Sequence, residues 1–384
     1  MLDPKTPLPD HYYMFSNRYS GARILLTGDT GFKGTWIAYW LTKLGATVHG
    51  LALPPDHERA LYRQAKMGEL ITHVDGDIRD LATVEAAYAR VQPDLVIHMA
   101  AQALVRESYN DPLGTMMSNV MGTAHVCDAL RRSSKACGLL IITSDKCYAN
   151  NEWVYGYREN DPMGGSDPYS ASKGIAELVT ASWRKSFFPI GNLDQHRKPL
   201  ATARAGNVIG PGDWAADRIV PDAVRALSTT GRVMVRNPHA IRPWQHVLEP
   251  LSGYLALGEK LLSPGAGRFA EGWNFGPLPS STRTVAELVK MMVSAWGSGT
   301  WDRTQEKNAP PESNVLRLAI DKAEAQLEWC PVWNFDTTIK RTVAGYARLL
   351  AIGNDPSAVR ALLDGEIDQY ARDARLTHLS WPKC

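Results

Sequence analysis

Tyr169 and Lys173 stand four residues apart in Tyr-Ser-Ala-Ser-Lys. On a helix that spacing puts a phenol and an ammonium on one face. A cation beside a phenol favours tyrosinate, so the pair predicts Tyr169 as a general base whose pKa is lowered by Lys173. The spacing alone arises by chance in many helices. Here Thr143-Ser144 closes an apolar run, Gly138-Leu-Leu-Ile-Ile142, about a helix-length upstream. A Ser144 hydroxyl at that point can bond the same substrate oxygen.

A second constellation lies near the start of the chain, in Gly28-Asp-Thr30-Gly31-Phe32-Lys33-Gly34. It follows the apolar run Arg23-Ile-Leu-Leu-Thr27 and precedes a segment with bulky residues at helical spacing. Glycine there allows positive φ and close approach of a pyrophosphate, while the helix N-terminus offers free N–H groups. The placement predicts a dinucleotide site. The acidic residue expected at the end of the second strand for the adenosine ribose is missing, and Leu51, Ala52 and Leu53 stand there. No arginine waits for a 2′-phosphate either, and the reading favours NAD.

These groups need a scaffold. Residues 23–27, 46–53, 94–98 and 139–143 read as strands; 35–44, 81–91 and 116–133 read as helices. Strand and helix in alternation imply crossover connections, hence an α/β Rossmann-type doubly wound parallel sheet. The alternation weakens after about Ala205. Residues 211–279 are rich in Pro, Gly, Arg and Trp and predict a smaller, loop-rich substrate-binding region. Helical patterns return at 285–296 and 339–350, and the tail from Asp355 reads as helical and peripheral. The expected organisation is a cofactor-binding domain over 20–205, a mainly substrate-binding region over 206–345, and a helical extension over 346–384.

Composition narrows the class. Hydrophobic residues make up 44% of the 384 and charged residues 21%, and the net charge is +2, so no nucleic-acid or membrane footprint is expected. The five cysteines form neither Cys-x-x-Cys nor a zinc-ligand spacing. Scattered thiols and an N-terminal segment without an apolar core predict a cytoplasmic protein with no metal site.

With these motifs in place, the chain resembles the extended short-chain dehydrogenase/reductases, the NAD-dependent epimerase/dehydratase group, from Gly28 to about Trp333. The resemblance implies that Ser144, Tyr169 and Lys173 surround the hydroxyl being oxidised and that NAD takes the hydride. It also implies cofactor contacts from Gly28, Thr30, Gly31, Phe32, Lys33, Gly34, Asp77, Ile78, Ala100, Ala101, Gln102, Asn119, Tyr169 and Lys173.

Ser144-Asp145-Lys146-Cys147 is the informative tetrad. It is similar to that of the CDP-glucose 4,6-dehydratases, as are Gly31-Phe-Lys-Gly34, Asp167-Pro-Tyr-Ser170, Arg204-Ala-Gly-Asn-Val-Ile-Gly210 and Arg242-Pro-Trp-Gln-His246. That likeness implies Asp145 as the acid toward the carbon 6 hydroxyl. Lys146 is either a desolvated base for the carbon 5 proton or a fixed charge that stabilises the enolate. It further implies CDP-glucose as substrate, with Ser144, Asn207, Arg218, Arg236 and Arg242 in contact with it. Arg204 belongs to the same arginine cluster. Ala309-Pro-Pro-Glu312 stands where related epimerases carry another arginine. The alternatives are a dehydratase or epimerase of a dTDP-, UDP- or GDP-sugar, and a non-catalytic NAD-binding protein. A homodimer, or a dimer of dimers, is usual for such chains.

Overall fold

The computed structural model describes residues 10–304 and 316–382. Ala309–Glu312 and Cys384 lie outside them. Seven strands form one parallel sheet: β1 (Arg23–Thr27), β2 (Thr47–Ala52), β3 (Thr72–Asp75), β4 (Leu95–His98), β5 (Gly138–Ile142), β6 (Leu200–Ala205) and β7 (Gly272–Phe275). Their order is 7-6-5-4-1-2-3. The order reverses between β1 and β4, which opens a crevice at their carboxyl ends.

Side chains alternate across each strand, so the sheet has two cores. Ile24 and Leu26 face α1 (Phe32–Lys43) and a later helix, Leu248–Leu261, with Trp36, Trp40, Leu251 and Tyr254 buried among them. Leu25 faces the other way, toward α2 (Leu81–Val91) and α3 (Gly122–Arg132), and packs with Val84, Tyr88, Val126 and Leu130. This burial on both faces is why β4 and β5 read as unbroken apolar runs.

The expected helix over 116–133 is the end of a longer helical path. Pro112–Met116 leads through a π-helical turn, Met117–Met121, into α3. α4 (Pro168–Ser186) then carries Tyr169 and Lys173, and α5 (Leu248–Leu261) returns from the second half of the chain to the sheet. A separate core of Trp214, Val224, Leu288, Met292, Ile339 and Tyr346 holds the rest of that half together.

Residues 211–279 combine loops with Ile219–Thr229, α5 and β7. One expectation is corrected. The tail is not peripheral. α6 (Pro356–Leu376) buries Leu362, Leu363, Ile367 and Tyr370 in the α1 core, because its apolar residues recur at helical spacing and find Trp40 and Trp381.

Candidate active site

The phosphate turn tolerates no side chain at two of its glycines. Gly28 has φ +80°, and a Cβ there would lie 2.6 Å from the Ala100 backbone nitrogen. A Cβ on Gly34 would fall 1.9 Å from the Gly28 carbonyl oxygen. Gly31 caps α1 without a side-chain hydrogen bond, so the first-turn N–H groups of Phe32, Lys33 and Gly34 receive no side-chain cap. Thr30 Oγ1 donates to Leu53 O at 2.9 Å and pins the turn to the end of β2. A bare cradle at a helix N-terminus fits the pyrophosphate of a dinucleotide.

The remaining expected cofactor residues follow the ends of β3 and β4 or stand on the helical path after them. Ala100 donates its N–H to Thr27 Oγ1 at 3.2 Å and continues through Ala101 to Gln102. Asn119 is spent on structure: its amide donates to Ser172 Oγ at 2.8 Å and to Gln102 O at 3.0 Å, and accepts from Gln102 N–H at 2.9 Å. It therefore ties the β4 loop to α4. Asp77 is paired with Arg79 at 2.6 Å, and Ile78 packs against Gly122.

Asp167 starts α4 by accepting the Ser170 N–H at 2.9 Å, with Pro168 in the first turn. This sets Tyr169 and Lys173 opposite the end of β5, and both are buried. Ser144 acts on Tyr169, and its Oγ donates to Asp145 Oδ1 at 2.9 Å. Asp145 is 3% exposed, and its Oδ2 has no protein partner. Gly206 makes this possible, since a Cβ there would stand 2.9 Å from that oxygen. Burial raises the Asp145 pKa, with the neighbouring Lys146 opposing. A carboxyl that holds its proton above the ordinary range and presents one free oxygen is built to act as an acid.

The expectation that Lys173 lowers the Tyr169 pKa is not met. Burial pushes Tyr169 up to about 12, with the neighbouring Ser144 hydroxyl and the charge of Arg218 opposing. Lys173 is itself driven down to about 8 by burial. Desolvation is the largest influence on both groups. Tyr169 thus stands as a phenol, positioned to receive one proton while passing on another.

Two groups from the sheet's underside reach the same pocket. Lys33 Nζ lies 5.7 Å from the Tyr254 ring centre and feels Lys173, Arg218 and Asp145; burial and the two cations push it down to about 7. The Tyr254 hydroxyl is buried without a partner and lies within the field of Asp145 and Tyr169.

The arginines divide. Arg218 is held by Asp213 at 2.9 Å and acts on Tyr169; Arg242 donates to Ile241 O at 2.9 Å and acts on Asp145. Asn207 follows Gly206, and its carbonyl accepts the Gln245 N–H at 3.2 Å. Arg236 pairs with Asp217 at 2.9 Å, and Arg106, which the sequence reading missed, approaches the same carboxylate at 3.6 Å. Arg204 is no substrate arginine. It is 4% exposed and pairs with Glu177 behind the site. Glu177 was also missed, although an acid four residues beyond Lys173 in a buried helix face signals a partner of opposite charge.

A seven-stranded doubly wound sheet, a glycine cradle and a Ser–Tyr–Lys set define a dinucleotide-dependent enzyme of the short-chain dehydrogenase/reductase superfamily, with the Asp145 carboxyl buried beside Ser144. The chain belongs to the GDP-mannose 4,6 dehydratase family, whose profile matches residues 25–263.

A CDP-glucose 4,6-dehydratase of Salmonella typhimurium is 47% identical over 85% of this chain and 91% of its own length. A dTDP-glucose 4,6-dehydratase of Streptomyces antibioticus is 28% identical over 84% and 92%. Among solved structures, a dTDP-glucose 4,6-dehydratase of Streptomyces venezuelae with NAD bound superposes with a TM-score of 0.72 at 22% identity, covering 85% of this chain and 97% of that one. A UDP-glucose 4-epimerase of Thermotoga maritima gives 0.71 at 20% identity, covering 85% and 99%. Such distant likenesses establish the fold.

Proposed function

We propose that the chain is an NAD-dependent hydro-lyase that converts CDP-D-glucose to CDP-4-dehydro-6-deoxy-D-glucose. The observation that carries the dehydration is Asp145: a buried acid with one oxygen that has no protein partner, the other accepting from Ser144 at 2.9 Å. An epimerase needs no such second acid. The choice of CDP rests on the Salmonella typhimurium relative, at 47% identity.

The chemistry NAD supplies when bound is reversible hydride acceptance, so hydride leaves carbon 4 and returns at carbon 6. Tyr169 takes the carbon 4 hydroxyl proton, and Ser144 holds the same oxygen. The new ketone acidifies carbon 5. Lys146 stands beside Asp145, either as the base for that proton or as the charge that steadies the enolate. Asp145 protonates the departing carbon 6 hydroxyl. Arg218, Arg236, Arg242 and Asn207 would hold the diphosphate and sugar, since guanidinium groups meet phosphate oxygens two at a time.

A homodimer fits the surface. Leu113, Met117 and Met121 are exposed at successive helical turns beside exposed Ile175 and Leu178 of α4. Among the described residues no helix is long and apolar enough to cross a membrane, and the cytoplasm is the proposed location.

The decisive experiment incubates the protein with CDP-glucose deuterated at carbon 4 and with NAD. A 4-keto sugar carrying the deuterium at carbon 6 is expected. No keto sugar from CDP-glucose, with product from the dTDP- or GDP-sugar instead, would move the reading to another nucleotide.

A further inference from the structure

We propose that Arg106, a residue of the cofactor half of the chain, is a further contact for the substrate's diphosphate, and that Asp217 competes with the diphosphate for it. The inference rests on the nucleotide-sugar reading above and adds a residue to the site and a rival for it.

The loop that carries Asp217 crosses the catalytic crevice. It begins at Gly206, where a Cβ would stand 2.9 Å from Asp145 Oδ2. At Gly210 a Cβ would stand 3.3 Å from the ring of Phe32, on the phosphate turn. The Pro211 carbonyl then accepts the Trp36 indole N–H from α1 at 3.1 Å. Asp217 and Arg218 are the last two residues before helix Ile219–Thr229. The loop thus runs from the acid of the catalytic set, past the phosphate turn, to the arginines.

Arg106 comes from the opposite wall. Its helix, Val105–Asn110, follows β4 and packs against α4, which carries Tyr169. Arg236 comes from the second half of the chain, just after the strand Arg232–Val235. Arg236 Nη1 lies 2.9 Å from Asp217 Oδ1, and Arg106 Nη1 approaches the same oxygen at 3.6 Å. Guanidinium groups from both halves converge on one atom, and so stand within reach of one small anion.

The backbone presents that atom. Asp217 has φ +61°, a left-handed conformation that Asp and Asn tolerate and most residues avoid. In this conformation the Asp217 carbonyl oxygen also faces Arg236, 3.5 Å from Nη2.

The chemistry favours competition. The side chains of Arg106, Arg236 and Asp217 are 27%, 33% and 46% exposed, and ion pairs so open to water hold weakly. A diphosphate carries more charge than one carboxylate. It also offers acceptor oxygens on two phosphorus atoms, which guanidinium groups meet two at a time. Asp217 meets both side chains through a single oxygen, so the diphosphate is the stronger partner. NAD brings a diphosphate as well, and the test separates the two sources.

NAD-loaded enzyme is titrated with CDP, which keeps the diphosphate but has no sugar to react, and NAD affinity is measured separately. Asp217→Asn preserves the turn, because Asn tolerates the same φ, and removes the competing charge. It should bind CDP about 2- to 5-fold more tightly than the wild type, the range of an exposed ion pair. Arg106→Ala should weaken CDP binding roughly 10-fold, as for a lost charge-assisted hydrogen bond. The factor should be larger in the Asp217→Asn background, where nothing competes for the arginine. Arg106→Lys keeps the charge without the fork and should fall between the wild type and Arg106→Ala.

The two partners of a purely structural ion pair would lose affinity together, so opposite signs identify competition. Weaker CDP binding by Asp217→Asn, or unchanged binding by Arg106→Ala, would overturn the proposal. Additive effects in the double variant would overturn it too, because they make Asp217 a distant charge only. Loss of NAD affinity in place of CDP affinity in Arg106→Ala would assign Arg106 to the cofactor and overturn it as well. A wild type that turns over a dTDP-, UDP- or GDP-sugar and not CDP-glucose would overturn the choice of nucleotide alone. The same opposite-sign test with that nucleoside diphosphate then decides the competition.

Discussion

Arg204 and Glu177 meet in a two-point ion pair behind the catalytic groups, Nε to Oε1 and Nη2 to Oε2, each at 2.9 Å. The same carboxylate accepts the hydroxyls of Thr143, at 2.5 Å, and Thr202, at 2.8 Å. It therefore joins α4, which carries Tyr169 and Lys173, to the end of β5, which carries Ser144. Removing one partner strands a buried charge. Glu177→Ala should destabilise the protein by about 3–5 kcal/mol in urea unfolding. Glu177→Leu combined with Arg204→Met should lose less than the sum of the two single changes, and additive losses would separate the pair.

Tyr169→Phe keeps the ring and deletes the oxygen that receives the carbon 4 proton. Turnover should fall at least ~100-fold, in the range of general acid–base catalysis. Lys173→Ala should be comparably damaging. The measurement is the rate of keto-sugar formation at saturating CDP-glucose, and near-normal turnover in Tyr169→Phe would remove Tyr169 from the chemistry.

Asp145→Asn preserves shape but cannot donate a carboxyl proton. The carbon 6 hydroxyl must then leave as hydroxide, so dehydration should fall by roughly 2–4 powers of ten. Once formed, reduced nicotinamide and the 4-keto-hexose should persist instead of decaying. Dehydration at the wild-type rate would count against Asp145 as the acid. Lys146→Met distinguishes the two roles of Lys146: deuterium exchange from solvent into carbon 5 disappears if it is the base.

His73 links stability to pH. Its Nδ1 lies 2.7 Å from Asp29 Oδ2 and its Nε2 3.1 Å from Asp75 Oδ1, and Asp29 is 0% exposed. The hydrogen bond to Asp29 holds the imidazole pKa above its ordinary 6.5, with burial opposing. A raised folded-state pKa means that the stabilisation is fully present below the unfolded value. It is lost as pH rises through the folded value. His73→Gln should lower the urea midpoint most near pH 6 and least near pH 9. A constant difference across that range would assign His73 a packing role only.

What the sequence determined by itself was local. The glycine turn, the start of α1, the four-residue step from Tyr169 to Lys173 and the buried runs of β1, β4 and β5 are legible, because backbone periodicity and the steric demand of glycine act over a few residues. β3, β6 and β7 escaped this reading: Thr72–Asp75 has no apolar run, Leu200–Ala205 mixes Thr and Arg with small residues, and Gly272–Phe275 is short.

Only the tertiary structure decided the electrostatics and the pairings. Arg204 looks like its neighbours in sequence, but Glu177 claims it. Tyr169 has its lysine in place, yet the packing over both raises the phenol instead of lowering it. Lys33 reads as part of a phosphate turn, and the fold brings it to Tyr254 and Asp145, more than a hundred residues away. Charge and proton affinity depend on which distant elements exclude water and which supply a counter-charge. That information exists only once β5, α1, α4 and α5 have closed around the same crevice.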